Sequence, residues 1–293
     1  MILEVKNISK SFDGKVVLDD ISFDLVEGNI YGLVGRNGAG KTTLLKILAR
    51  IIDPDGGRAY IDVKDYFDYP QLLQHLAFLP DRFDFFAYNT GLKAMEYYQI
   101  LYPNFNRDFV INEAKKLKLD LKKTIKTQSK GNKTLLGLLM VLASGAQFLL
   151  VDETLDGLDV LNKKAIIQYL LGASQEGRTV LISTHQLTEL QGIADQVFYI
   201  GLDGKIQGVD KDKDLDFQKI QVVVKDKLPQ EILDQVIVKD HLGRVYTVLM
   251  AGKEEEVVRK LAREEIVQFD ILPLQIEDRF YFERGREEDH ERL

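Results

Sequence analysis

The sequence predicts an α/β protein in which a buried parallel sheet is covered by helices on both faces, followed by a smaller α+β unit. Three observations predict it. Apolar runs at residues 30–34, 148–151, 180–183 and 197–200 are short and rich in β-branched side chains, and amphipathic helical stretches lie among the later ones, as a parallel sheet buried on both faces requires. The first run leads directly into a glycine-rich loop and then a helix. After about Asp210 the pattern changes to short strands and helices in the order βαββαβ, that of a small ferredoxin-like unit.

Composition sets the bounds. With 293 residues, 45% hydrophobic and 29% charged, the chain can bury a proper core and is neither disordered nor collagenous. Its 39 basic and 46 acidic side chains give a formal net charge of −7, which argues against broad binding to nucleic acid. The absence of cysteine removes disulfides, thiolate zinc sites and thiol nucleophiles, so any metal must sit on oxygen or histidine. The first residues carry charges where a signal peptide needs an apolar stretch, and the most apolar run, 135–151, is interrupted by Ser144, Gly145 and Gln147. The expectation is a chain that is neither exported nor membrane-spanning.

The elements follow in order. Strand-like runs open the chain at 2–8, 16–18, 21–26 and 30–34, punctuated by Asp13-Gly14 and Glu27-Gly28. From Lys41, apolar residues recur at helical spacing through Ile51, and the run from Asp53 to Gly57 stops that helix. Between about 82 and 142 the pattern is mostly helical and reads as an insert, with a Lys-rich helix at 110–118. The expected domains are 1–209 and 210–293, the second with strands at 220–224, 236–238, 245–250 and 266–271, helices near 228–233 and 253–263, and a charged tail from Gly285 onward.

Gly35-Arg36-Asn37-Gly38-Ala39-Gly40-Lys41-Thr42-Thr43 fits the phosphate-loop pattern in full and sits between a strand and a helix, the context that confirms it. Backbone N–H groups of such a loop close around phosphate oxygens, Lys41 reaches the β and γ phosphates, and Thr42 ligates Mg²⁺. The apolar run 148–151 ends in Asp152-Glu153: beside a phosphate loop the aspartate is a metal ligand and the glutamate a general base, while alone the pair would read as surface acids. His185 ends another buried run and reads either as a γ-phosphate contact or as a satisfied structural histidine.

Over roughly residues 1–210 the sequence resembles the nucleotide-binding subunits of ATP-binding cassette (ABC) transporters. Beyond the motifs above, Gln128-Ser129-Lys130-Gly131-Asn132 is similar to the family signature Leu-Ser-Gly-Gly-Gln, and Gly157-Leu158-Asp159 to the end of the run Asp-Glu-Pro-Thr-Ser-Gly-Leu-Asp, with Thr154, Leu155 and Asp156 in place of Pro, Thr and Ser. The resemblance implies a P-loop NTPase cassette with an antiparallel β subdomain and a helical insert. It implies that Ser129 and Gly131 touch ATP bound to the other subunit, although read alone they are a turn and a helix cap. Phe12 takes the place of the adenine-stacking aromatic, its alternative being a core position. Asp81 stands where many members have a metal-touching glutamine, and retains an oxygen ligand.

By the same resemblance the chain is an ATPase using ATP and Mg²⁺, peripheral on the cytoplasmic face of the cell membrane, partnered by a membrane-spanning permease, and working as a homodimer or heterodimer. The signature form looks most like bacterial exporter-type subunits of the bacitracin-resistance, Ecs-like or Ytr-like kinds. The competing classes are a soluble ABC ATPase acting on a partner such as the ribosome, and a phosphate-loop kinase or GTPase, which leaves residues 129–133 and His185 without roles. Phe83, Phe85 and Phe86 read either as the groove for the permease or as core.

Overall fold

In the computed structural model, residues 1–186, 189–190, 192–209, 217–262, 265–272 and 278 are described. The chain divides into two compact units, Met1–Val209 and Asp210–Leu293. In the first, β1 (Ile2–Phe12) and β2 (Lys15–Val26) form an antiparallel hairpin, β3 (Ile30–Val34) precedes the glycine-rich loop and α1 (Lys41–Leu48), and β4 (Gly56–Ile61) returns to pair with β1 before the short β5 (Lys64–Asp65). Then come β6 (Leu76–Leu79), α2 (Gly91–Leu101), α3 (Arg107–Lys116), α4 (Lys130–Ala143), β7 (Phe148–Asp152), α5 (Val160–Gln175), β8 (Thr179–Thr184), β9 (Gln196–Ile200) and β10 (Ile206–Val209).

Two sheets result. One is the antiparallel sheet β2-β1-β4-β5; the other has the order β10-β9-β3-β8-β7-β6, parallel except for β10 on its edge. Every residue of β3, β7 and β8 is buried, the reason their sequences are almost unbroken apolar runs. A single core continues between the sheets, where Leu3, Ile21 and Leu25 pack with Leu44, Ile47, Leu150 and Leu181. Register then fixes the site: Val34 lies opposite Thr184, and Asp152 opposite Ser183, so three adjacent strands deliver Gly35, Glu153 and His185 from the same edge.

Side-chain caps start α2, α3, α4 and α5. The Thr90, Asn106 and Ser129 side chains accept from the third residue beyond, and Asp159 accepts from Leu161 and Asn162, each satisfying an N–H that has no partner within its helix. Among the described residues no helix is long and apolar enough to cross a membrane.

Several boundaries differ from the sequence expectation. α1 stops at Leu48 rather than reaching Ile51, because Arg50 turns into the left-handed region (φ 56°) and leaves Ile51 exposed. The separate runs at 16–18 and 21–26 are one strand, since register shifts between Val5 and Ser11 of its partner absorb the polar Asp19-Asp20. The strands β4, β5, β6 and β10 were missed: β5, β6 and β10 are too short for a periodicity signal, and β4 opens on the Gly56-Gly57 that reads as a helix stop.

The second unit contains β11 (Phe217–Val224), α6 (Gln230–Leu233), β12 (Val236–Leu242), β13 (Val245–Ala251), α7 (Glu254–Leu261) and β14 (Ile266–Leu272). Its antiparallel sheet has the order β12-β13-β11-β14, so each βαβ is split by an intervening strand, the ferredoxin-like arrangement expected. Ile220, Val222, Val248 and Met250 pack against Ile232, Val257 and Leu261 of the helices. Three glutamates open α7 and Arg259 and Lys260 close it, in agreement with the helix dipole. The tail from Gly285 onward lies outside the described residues.

Candidate nucleotide-binding site

The glycine-rich loop leaves β3 and closes on itself, with the Ala39 N–H donating to the Arg36 carbonyl at 3.1 Å. Gly40 has φ 100°, and a Cβ there would lie 2.9 Å from the Val17 carbonyl oxygen; a Cβ at Gly35 would lie 2.5 Å from that of Ile200. Only glycine permits both the backbone turn and the approach to the neighbouring strands. Gly40 caps α1 without a side chain, so no side-chain acceptor competes for the first N–H groups of that helix.

Lys41 is buried, and its Nζ donates to the carbonyls of Gly35 (2.7 Å) and Arg36 (3.2 Å) and lies 3.0 Å from Glu153 Oε1. Two backbone carbonyls and one carboxylate thus surround the buried ammonium. The next residue, Thr42, donates through Oγ1 to Asp152 Oδ1 at 3.1 Å.

Asp152 is buried at the end of β7, and its Oδ1 also accepts from Ser183 Oγ at 2.7 Å. Burial pushes its carboxyl above the ordinary value; the hydroxyls of Ser183 and Thr42 oppose that, and the charges of Glu153 and Asp81 add to it. The Glu153 N–H is held by both the carbonyl and the hydroxyl of Ser183 (3.1 and 3.0 Å), and Glu153 occupies φ 43°, a conformation disfavoured for a side-chain-bearing residue. Ser183 was not singled out in the sequence, although a hydroxyl inside an apolar strand is the signal that could have marked it.

His185 follows β8. Its Nδ1 lies 3.0 Å from Asp156 Oδ2 and its Nε2 3.3 Å from Gln186 Nε2. Ligating atoms of Glu153, Asp156 and His185 all fall within 4.8 Å of one another. Burial raises the Asp156 carboxyl, against the lowering effect of His185. The sequence reading noted Asp156 only as a replacement for serine.

The remaining candidates lie around this centre. Ser129 caps α4 by accepting the Asn132 N–H at 3.2 Å. A Cβ on Gly131 would come within 2.3 Å of Asn162 Nδ2, so the glycine lets the start of α4 pack against α5. Phe12 is exposed at the end of β1 with Lys10 Nζ 5.4 Å from its ring centre, which corrects the core alternative. Asp81 lies 3.3 Å from Lys130 Nζ, and Lys133 3.7 Å from Asp84, beside a cleft of about 260 Å³. The three phenylalanines divide: Phe83 is core, Phe85 is 68% exposed, and Phe86 stacks on Tyr97 at 5.5 Å.

Thr42 and Asp152 offer a hydroxyl and a carboxylate on adjoining elements, hard oxygen donors of the kind Mg²⁺ takes. The buried charge of Asp152 is what a divalent cation would neutralise, so the donor set fits that ion. Phosphate loop, hydroxyl, strand-end acid pair and histidine together define a phosphate-loop nucleotide-binding protein of the α/β class.

Comparison with known proteins narrows that class. The ABC transporter family model matches residues 18–156. The chain is 32% identical over 211 residues to an uncharacterized ABC transporter ATP-binding protein, YcbN, of Bacillus subtilis, covering 70% of this chain and 68% of that one. It is 27% identical over 287 residues to the ABC transporter ATP-binding protein YtrB of the same organism, covering 97% and 98%. Among solved structures, the dimeric cassette MJ0796 in a post-hydrolysis state bound to ADP and Pi aligns with a TM-score of 0.64 at 21% identity, over 73% of this chain and all of that one. The chain belongs to the ABC transporter ATP-binding proteins.

Proposed function

We propose that this chain is the ATP-hydrolysing subunit of a transporter whose membrane-spanning part is a separate permease, and that two such subunits sandwich ATP head to tail. The observation that carries the reading is the joined network of Lys41, Glu153, Asp152, Thr42 and Ser183 at one sheet edge. The permease is the expected partner because the family is that of transporter ATP-binding proteins; the subunit then works from the cytoplasmic face.

The chemistry follows from the residues. N–H groups of residues 38–43 and the Lys41 ammonium hold the β and γ phosphates, and Phe12 offers a face to the adenine. Thr42 and Asp152 would hold Mg²⁺, which would neutralise phosphate charge when bound. As Lys41 turns to the phosphates it leaves Glu153, whose freed carboxylate takes a proton from the attacking water as ADP and phosphate form. His185 contacts the terminal phosphate. Asp81, the third metal candidate, pairs with Lys130, so we assign the cation to Thr42 and Asp152 first.

Ser129 and Gly131, which stand in the place of the family signature, serve the nucleotide of the other subunit. Two-fold pairing then makes two equivalent composite sites. Lys41→Ala should lose tight MgATP binding in calorimetry; retained micromolar affinity would overturn the site. Mixing Lys41→Ala chains with Ser129→Arg chains should restore part of the ATPase activity, because each mixed dimer has one intact site. Absence of recovery in demonstrated mixed dimers would overturn independent composite sites.

A further inference from the structure

We propose that Asp156 is a positioning residue: its carboxylate grips His185 by Nδ1 and so sets Nε2 as the ring edge that meets the terminal phosphate. This rests on the reading of His185 given above. Asp156 sits one turn beyond the strand end, where its N–H approaches the Glu153 carbonyl at 3.4 Å. One carboxylate oxygen lies 3.0 Å from His185 Nδ1, and the other is buried with no hydrogen-bond partner among the described residues. An ionised carboxylate so placed can only accept, which favours the tautomer with its proton on Nδ1. The side-chain amide nitrogen of Gln186, a donor, lies 3.3 Å from Nε2 and agrees with the same tautomer.

That tautomer has a chemical consequence. A neutral ring with its proton on Nδ1 turns a lone pair toward any group at Nε2 and repels a phosphate oxygen. Donation to phosphate from Nε2 needs the doubly protonated ring, whose far side faces the Asp156 carboxylate, the placement an orienting carboxylate has beside a catalytic imidazole. The other charges facing the pair are Glu153, Glu189 and Lys130. A serine, the residue in the family run, is shorter and uncharged; it neither reaches Nδ1 in the same way nor supports the cation. Asp156 therefore couples histidine orientation to the arrival of phosphate.

The test uses the full chain, whose four histidines make a ¹⁵N-resolved spectrum of labelled imidazoles readable. In the wild type His185 should carry its proton on Nδ1, and Asp156→Ser should lose that signature. Asp156→Ser should lower kcat by about 10- to 100-fold, the usual scale for losing an orienting partner, with little change in KM for MgATP. Asp156→Asn retains an acceptor for Nδ1–H without the charge; it should keep the tautomer and still lose kcat, and it remains informative should the serine variant fold poorly. An Nε2–H ring in the wild type, or wild-type kcat in both Asp156 variants while His185→Ala is impaired, would overturn the proposal. Wild-type turnover in His185→Ala would instead overturn the role of His185 itself.

Discussion

Replacing Glu153 with glutamine separates two roles of one carboxylate. Glu153 Oε1 is 3.0 Å from the Lys41 ammonium, which is only 3% exposed. Stranding one member of a buried pair costs roughly 3–5 kcal/mol. Here the ammonium keeps the Gly35 and Arg36 carbonyls, the glutamine oxygen can still accept, and Glu153 is 23% exposed. The loss is then nearer the lower end for a hydrogen bond to a charged group, about 1.5–2 kcal/mol. For a chain of this size that lowers Tm by about 2–8 °C without nucleotide. ATP binding should shift the other way, because the wild type must break the pair before Lys41 reaches phosphate and the variant gives up less. Each 1.4 kcal/mol so released tightens Kd about tenfold. Turnover should meanwhile fall by roughly 10²- to 10⁴-fold from loss of the base. Thermal melts with and without MgATP, calorimetric Kd and phosphate release measure the three effects. Unchanged Tm together with unchanged Kd would refute the exchange of partners by Lys41, and normal hydrolysis would refute Glu153 as the base.

Asp152→Asn should stabilise the nucleotide-free protein at neutral pH while abolishing Mg²⁺-dependent ATP binding, since the folded state raises this carboxyl chiefly by burial and is penalised for its charge above that raised value; the gain in Tm should shrink as pH falls through the raised value, and a variant less stable at neutral pH would contradict it. Phe83→Ala should cost about 3–5 kcal/mol in denaturant melts because the ring is core, whereas Phe85→Ala should stay within about 0.5 kcal/mol and instead weaken copurification with the permease. A double-mutant cycle on Asp81→Gln and Lys130→Ala should give a stability coupling of about 0.2–1 kcal/mol, because both groups are more than 40% exposed; a larger value would mean the pair is shielded.

What the sequence made legible was local. The phosphate loop is contiguous, so its spacing and its place between strand and helix could be read without topology. Asp152-Glu153 and His185 were marked as strand ends, and the parallel order of β7, β8 and β3 brings such ends to one edge. The Ser183 contact with Asp152 and the Asp156 contact with His185 were not legible, because each depends on which strands are neighbours and in what register. The pairing of Asp81 with Lys130 was hidden for the same reason: the loop after β6 and the start of α4 meet only through the fold of the insert.

Three of the departures from the common family pattern, Asp81, Lys130 and Asp156, become intelligible once placed in space. Read along the chain, each looks like a separate loss: a glutamine made acidic, a signature glycine made basic, a serine made acidic. In the structure the Lys130 ammonium lies 3.3 Å from Asp81, its charge lowers the Asp156 carboxyl against the effect of burial, and it would sit 3.8 Å from a Cβ placed on Gly157. The added positive charge thus stands near both added negative charges and offsets part of their mutual repulsion. Asp156 in turn lies 3.0 Å from His185 Nδ1. Restoring Lys130 to glycine would leave Asp81 and Asp156 without their shared positive neighbour, whereas restoring either acid would leave Lys130 with the other.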